Sequence, residues 1–163
     1  VVYAGSVGNW IMRHEPEIWA KTAKYVMLPT YLNYKLTGNL IDSASNQIGH
    51  IPFDYKNRRW MKPGSLTRCF CDVPNEKLCD LVPSGTVIGT ITDEVSALTG
   101  IPAGLPLIST GSDKGCETLG LAVVDSDKAS ISLGTTATIQ FSTTEYVEPQ
   151  QFLPAYPLSL IHI

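Results

Sequence analysis

One carboxylate of this chain lies where a predicted strand gives way to a predicted helix. The apolar residues at 106–108 predict a strand that stops at Gly111, and a helical pattern begins at Asp113. Such a turn leaves the Asp113 carboxylate at the mouth of the sheet, with the backbone N–H groups of the helix behind it. An aspartate in this position could accept a proton from a bound hydroxyl group. The more ordinary interpretation of Asp113 is a helix N-cap.

A second candidate site lies at the tip of a predicted hairpin. Residues 131–133 and 137–141 alternate between apolar and polar types on either side of Gly134, Thr135 and Thr136. This pattern predicts two antiparallel strands with a small, hydroxyl-rich tip whose N–H and O–H donors could bind an anion. A proton-accepting carboxylate followed by a phosphate-sized donor loop is the minimum equipment for phosphoryl transfer to an alcohol. Either feature alone is usually an ordinary cap or turn, so the hypothesis depends on their order and spacing.

Composition excludes several classes of protein. The chain has 163 residues, of which 44% are apolar and 17% are charged, and its net charge is −3. It can therefore bury a core in one domain, and it lacks the basic surface that nucleic-acid binding requires. No apolar run approaches the length of a membrane span, and the first residues show no signal-peptide pattern. We therefore expect a cytoplasmic protein with neither nucleic acid nor membrane as a partner.

The cysteines favour a reducing compartment. The chain has four, and none of them is paired in a Cys-x-x-Cys spacing: Cys69, Cys71, Cys79 and Cys116. We interpret them as buried, reduced, structural thiols, with a zinc site as the weaker alternative. No metal ligands are predicted.

The first third of the chain predicts three helices. Helical spacing runs through 9–27, and Pro16 divides it into two helices, standing in the first turn of the second. Pro29 is expected to end this region, and Thr30 to cap a new helix that stops at Gly38.

The middle of the chain predicts shorter elements. A helix is expected to begin at 60–66, an extended segment at 86–91 and another short helix at 94–98, with Thr92 or Asp93 as its cap. These elements lead into the strand before Asp113.

These motifs resemble the FGGY carbohydrate kinases, the family that includes xylulokinase and glycerol kinase within the actin-like ATPase superfamily. The similarity covers about residues 9–157, and its most specific parts are Gly111-x-Asp113 and Leu133-Gly-Thr-Thr136. Earlier stretches also fit the family pattern, namely Tyr31-Leu-x-Tyr-x-Leu-Thr-Gly and Asp42-x-x-Ser-Asn. By composition alone the polar residues at 42–47 would be a solvated connector, whereas in this family the region lies under the sugar pocket.

The resemblance implies an α/β chain with part of the actin-like ATPase (ribonuclease H-like) fold. Residues 1–126 would be the C-terminal part of the N-terminal, sugar-binding domain. Residues 127–163 would begin the C-terminal, nucleotide-binding domain, with the hinge at 125–128. The match lapses in the tail at 158–163. Because one phosphate loop and the adenosine site of the family are missing, we expect the chain to be inactive alone.

The resemblance also implies a reaction, which is ATP-dependent phosphorylation of a hydroxyl group on a small sugar or polyol. Asp113 would be the general base, and Gly134, Thr135 and Thr136 would bind the terminal phosphate, with Mg²⁺ bridging the phosphates. Lys114 stands where the family usually has Gln or Asn, and it would contact a sugar hydroxyl or a substrate carboxylate, or else point to solvent. A homodimer of the full-length protein is compatible with the family. The alternative function is a non-catalytic actin-like module that binds a small molecule or a partner.

Overall fold

The computed structural model describes residues 6–47, 52–135 and 137–148. Over these residues short helices and strands alternate. The helices are α1 (Val7–His14), α2 (Pro16–Lys21), α3 (Leu28–Thr37), α4 (Asp93–Thr99) and α5 (Asp113–Gly120). The strands are β1 (Ile41–Ser43), β2 (Phe53–Asp54), β3 (Arg59–Trp60), β4 (Asp80–Val82), β5 (Val87–Thr90), β6 (Pro106–Ile108), β7 (Ala129–Leu133) and β8 (Ala137–Phe141). Short 3-10 turns lie at Ala44–Asn46, Leu66–Phe70 and Asn75–Lys77.

The helix boundaries follow local capping rules, with one correction. Pro16 does begin α2, because the first turn of a helix does not need the N–H that proline lacks. Pro29 was expected to end a helix, and it instead stands in the first turn of α3 for the same reason. Thr30 is therefore inside α3, where its side chain is buried and donates to a carboxylate of β1 instead of capping the helix. Gly38 ends α3 in the left-handed conformation, as predicted.

The strands pair two by two. β1 and β4 are parallel, whereas β2–β3, β5–β6 and β7–β8 are antiparallel. The helix predicted at 60–66 is wrong. Trp60 lies in β3 opposite Phe53, where the two rings meet edge to face at 5.6 Å, and its indole N–H donates to the carbonyl of Cys79 at 2.8 Å. These contacts between distant segments outweigh the weak local preference for a helix.

A small apolar core lies beneath the N-terminal helices. Cys71, Val73 and Leu78 are buried there, with Trp19, Tyr25 and Trp60 packed against them. Trp10 of α1, in contrast, is 49% exposed and stacks on the ring of His14 at the surface. Helical spacing identifies the side of a helix but not which of its aromatic residues has a neighbour to pack against.

The end of α3 fixes the position of β5. The side-chain amide of Asn39 donates to the carbonyl of Ile88 at 2.9 Å. A Cβ atom added at Gly89 would lie 2.7 Å from Cβ of Thr37 and 2.8 Å from Nδ2 of Asn39. Glycine is therefore required here for close approach, and β5 in turn positions β6, the strand that leads to Asp113.

We expect Gly89→Ala to lower the free energy of unfolding of the chain by about 1–3 kcal/mol, because the added methyl group overpacks this contact. Gly120→Ala is the matched control: its added Cβ would have no neighbour within 4 Å, so stability should stay the same or rise slightly. Denaturant unfolding followed by tryptophan fluorescence measures both variants. Equal stability of the two variants would contradict the packing of α3 on β5.

Candidate active site

The first turn of α5 presents Asp113. Ser112 is the N-cap, since its hydroxyl accepts a hydrogen bond from the N–H of Gly115 at 3.1 Å. The interpretation of Asp113 as the N-cap is therefore wrong, and Asp113 is the first residue of the helix. Its side chain is exposed, and Oδ1 accepts from the N–H of Lys114 at 2.7 Å. A helix N-terminus is a favourable environment for a negative charge.

The turn before Asp113 is held by two other segments. The hydroxyl of Ser109 donates to the carbonyl of Pro83 at 3.0 Å, and the Ser109 carbonyl accepts from the N–H of Gly85 at 2.8 Å. One residue later, the carbonyl of Thr110 accepts hydrogen bonds from the hydroxyls of Ser43 and Ser84. The segment between β6 and α5 is thus attached both to the end of β1 and to the turn after β4.

The predicted hairpin is confirmed. β7 and β8 pair in register from Ala129 opposite Phe141 to Leu133 opposite Ala137. Gly134 and Thr135 are exposed at the tip, and an added Cβ at Gly134 would meet nothing within 4 Å. Thr136 lies outside the described residues. The open space beside Gly134 would allow an anion to approach the backbone closely.

Lys114 joins the start of α5 to the hairpin. Its ammonium group donates to Glu117 at 2.8 Å and to the hydroxyl of Ser132 at 3.1 Å. The hydrogen bond with Glu117, and less strongly the nearby charge of Asp113, raise the pKa of Lys114 above its ordinary value. Ser132 precedes Gly134 by two residues, so this contact brings the two predicted site regions together. The Lys114 side chain remains 43% exposed.

A buried carboxylate, Asp42, belongs to the quoted family pattern but was not predicted as a site residue. Asp42 is only 2% exposed, and it accepts hydrogen bonds from the Thr30 hydroxyl at 2.7 Å and from the Gln47 amide at 3.1 Å. Burial, together with the charge of Asp42, raises the pKa of the neighbouring Cys79 thiol to about 11. The alternative of a solvated connector at 42–47 is therefore wrong, because most of these residues are buried.

Metal sites and membrane-spanning helices can both be checked over the described ranges. No group of three or more His, Cys, Asp or Glu residues there is placed to hold a metal ion. None of the helices described is both long and apolar enough to cross a membrane.

The family of the chain follows from a match over most of its length. Residues 2–120 match the family model for the N-terminal domain of the FGGY family of carbohydrate kinases. This chain belongs to the FGGY family.

Relatives in the FGGY family include named sugar kinases. The chain is 41% identical over 105 residues to YgcE, an uncharacterized sugar kinase of Escherichia coli. This match covers 64% of the chain and 21% of that protein. It is 28% identical over 136 residues to the xylulose kinase of Escherichia coli, covering 83% of the chain and 27% of that enzyme. The chain thus spans about a quarter of the length of these relatives.

A solved structure shows the same fold. The gluconate kinase of Lactobacillus acidophilus superposes with a TM-score of 0.76 at 22% identity, over 91% of this chain and 30% of that one. This likeness confirms the predicted α/β, actin-like ATPase fold, of which the chain contains a part.

The cysteines of this FGGY chain give a direct test of its packing. All four are free, but Cys71 and Cys79 are buried whereas Cys69 and Cys116 are exposed, so the expectation of four buried thiols is wrong for two of them.

We expect Ellman's reagent at pH 8 to react rapidly with the two exposed thiols of the native chain and with all four thiols in guanidinium. The reagent requires a reachable thiolate, and burial keeps Cys79 protonated at that pH. In the control variant Cys69→Ser/Cys116→Ser, rapid labelling should disappear from the native chain. Rapid labelling that persists in the control variant would contradict the burial of Cys71 and Cys79.

Proposed function

We propose that this chain is part of an ATP-dependent kinase that phosphorylates a hydroxyl group of a small sugar or polyol. The observation that carries the proposal is the Lys114–Ser132 hydrogen bond, which joins the start of α5, with its exposed Asp113, to the strand that leads to Gly134. A proton acceptor and an anion-sized donor loop thereby share one region. The names of the relatives support a sugar-type substrate.

The proposed reaction is an in-line displacement. The oxygen of the substrate hydroxyl attacks the terminal phosphorus of ATP, the bond between that phosphorus and the ADP oxygen breaks, and the hydroxyl proton passes to the Asp113 carboxylate. The first requirement is geometric: the carboxylate oxygen must come within about 3 Å of the hydroxyl. Asp113 suits this role because its side chain is exposed at the N-terminus of α5.

The hairpin tip is the proposed binding site for the terminal phosphate. The N–H groups of Gly134 and Thr135, together with the Thr135 hydroxyl, would donate to it, and Thr136 would add a further hydroxyl according to the sequence pattern. Mg²⁺ follows from the reaction class, where it neutralises phosphate charge, and it would be held mainly by the phosphates. The N–H and hydroxyl donors of the hairpin tip are typical of a loop that binds phosphate through its backbone.

The hairpin also supports the proposed domain boundary after residue 126. One face of β7 and β8 consists of exposed apolar side chains, including Ile131, Leu133, Ile139 and Phe141. Such a face is expected of strands on which another layer packs, here the rest of the proposed nucleotide-binding domain. The hinge is proposed at 125–128, where Lys128 and Asp125 form an exposed ion pair at 2.9 Å. A homodimer stays a proposal for the longer protein.

Lys114 is proposed to bind the substrate. Lys114 follows Asp113 in the chain and its side chain is partly exposed, so the side chain could exchange its contact with Glu117 for a substrate carboxylate or hydroxyl. A substrate panel of ketoses, polyols and sugar acids, assayed in the longer protein, would identify which group Lys114 contacts.

We expect Asp113→Asn in the longer protein to lower kcat by about 10²- to 10⁴-fold, because an amide cannot accept the hydroxyl proton. Asp93→Asn is a close control. Asp93 is also the exposed first residue of a helix, α4, and follows a hydroxyl N-cap, Thr92. Asp93→Asn should change the stability of the protein as little as Asp113→Asn does, and it should leave kcat unaltered. ADP release measured with a coupled assay reports both variants.

The Asp113 variant and the wild-type protein, assayed on the substrate panel, together separate the two candidate functions. Full activity in Asp113→Asn would remove the general-base assignment. A wild-type protein that binds nucleotide without turnover on any member of the panel would favour an untested substrate. A wild-type protein that neither binds nucleotide nor turns over any member of the panel would favour the non-catalytic binding module.

We expect Gly134→Ala to raise the KM for ATP or lower kcat by about tenfold, because the methyl group would occupy the space through which the phosphate approaches the backbone. The fold should be unaffected, since that methyl group would have no neighbour within 4 Å. Gly120→Ala, which is equally free of neighbours, should leave both kinetic constants unchanged. Wild-type kinetics in Gly134→Ala would exclude this tip from the phosphate site.

A further inference from the structure

We infer that Ser43 is a positioning residue that fixes the turn from which Asp113 is presented. The inference rests on the proposed role of Asp113. Ser43 is the last residue of β1 and is completely buried, and its hydroxyl donates to the carbonyl of Thr110. Thr110 is separated from Asp113 only by Gly111 and Ser112, the residue that caps α5. A shift at this carbonyl is therefore passed directly to the start of the helix.

The direction of the Ser43 hydroxyl is determined by its surroundings. A serine hydroxyl has a single hydrogen to donate, and its remaining capacity is to accept. Here the oxygen already accepts from the N–H of Asn46 at 3.1 Å, while the hydrogen is directed to Thr110. The Ser43 backbone is also held, because its N–H donates to Oδ1 of Asp42 at 2.8 Å. The hydroxyl is thus in place before any substrate binds.

The Asp42 carboxylate provides the fixed point for this arrangement. It draws together donors from α3 and from the turn after β1, namely the Thr30 hydroxyl at 2.7 Å, the Gln47 amide at 3.1 Å and the Asn46 amide at 3.1–3.2 Å. Hydrogen bonds to an ionised acceptor are stronger than those between neutral groups, and a buried carboxylate is tolerated only with such donors. The position of Ser43 is therefore set by helix α3 as well as by its own strand.

The other attachment of Thr110 is weaker. Ser84 also donates to the Thr110 carbonyl, but at 3.3 Å and in an exposed position. Without the Ser43 hydroxyl, the Thr110 carbonyl would keep, of its two side-chain donors described, only this longer bond, which competes with water. Since a displacement of about 1 Å in a reacting group can lower a rate about 10²-fold, Ser43 is placed to influence catalysis without touching the substrate.

The test compares Ser43→Ala with Ser65→Ala. Ser65 also donates its hydroxyl to a backbone carbonyl, that of Lys62 at 2.8 Å, but at a distant turn. In the longer protein, Ser43→Ala should lower kcat about tenfold with little change in the KM for ATP, whereas Ser65→Ala should change neither. If Ser43→Ala instead lowered kcat through a general loss of folding, the fraction of active protein would fall, and the start of α5 would not be loosened selectively.

Hydrogen exchange on this chain separates these causes. The N–H groups of Gly115 and Cys116 bond to the side chain and the carbonyl of Ser112, so their exchange reports the anchoring of α5. In Ser43→Ala their exchange should accelerate about tenfold, while the β7–β8 ladder exchanges as in Ser65→Ala.

Each outcome decides the inference. Unchanged exchange at Gly115 and Cys116 in Ser43→Ala would overturn it, whatever the activity. Faster exchange with unchanged kcat in an active enzyme would overturn the catalytic part of it. A wild-type protein that neither binds nucleotide nor turns over any substrate of the panel would remove the proposed function, and the exchange result would still decide whether Ser43 fixes the turn.

Discussion

The described part of this chain is organised around a buried negative charge. The Asp42 carboxylate is 2% exposed, and the donors bonded to it in the described ranges are all neutral: a hydroxyl, two side-chain amides and a backbone N–H. Removing such a charge from water is costly unless its oxygens are well supplied with hydrogen bonds. Because the donors come from α3, from the end of β1 and from the residues after it, satisfying Asp42 holds these segments together. It also explains why a stretch rich in Ser, Asn and Gln lies inside the protein.

From this centre, contacts lead outward to the candidate active site by two routes. In one, the end of α3 packs closely against Gly89 of β5, which pairs with β6. In the other, Ser43 bonds to Thr110, just after β6. Both routes converge on the few residues between β6 and α5. The candidate base thus lies on a helix whose start is fixed from two directions, although its own side chain is exposed. This is the arrangement expected when a functional group on a turn is supported by rigid elements beneath it.

The elements near the candidate site were largely predictable from the sequence, because their signals are local. The hairpin with glycine at its tip depends on neighbouring backbone groups and was predicted correctly, whereas the cap of α5 is Ser112 and not the predicted Asp113. The errors at Thr30 and Trp60 have another origin. Thr30 is drawn inward by Asp42, twelve residues away, and Trp60 is held in a strand by its bond to Cys79. Contacts of this range decide burial and register, and no pattern within a single segment encodes them.

The two aspartates illustrate how environment divides structural from chemical roles. Each oxygen of Asp42 already accepts hydrogen bonds within a buried site, so it has neither access to a substrate nor lone pairs free for one. Asp113 is exposed, and its one described hydrogen bond uses a backbone N–H at a helix N-terminus, which leaves most of its accepting capacity available. A general base needs that spare capacity together with a fixed backbone. Asp42 helps to give Asp113 this fixed backbone, because Asp42 orients Ser43. Ser43 in turn holds the start of α5 through the Thr110 carbonyl.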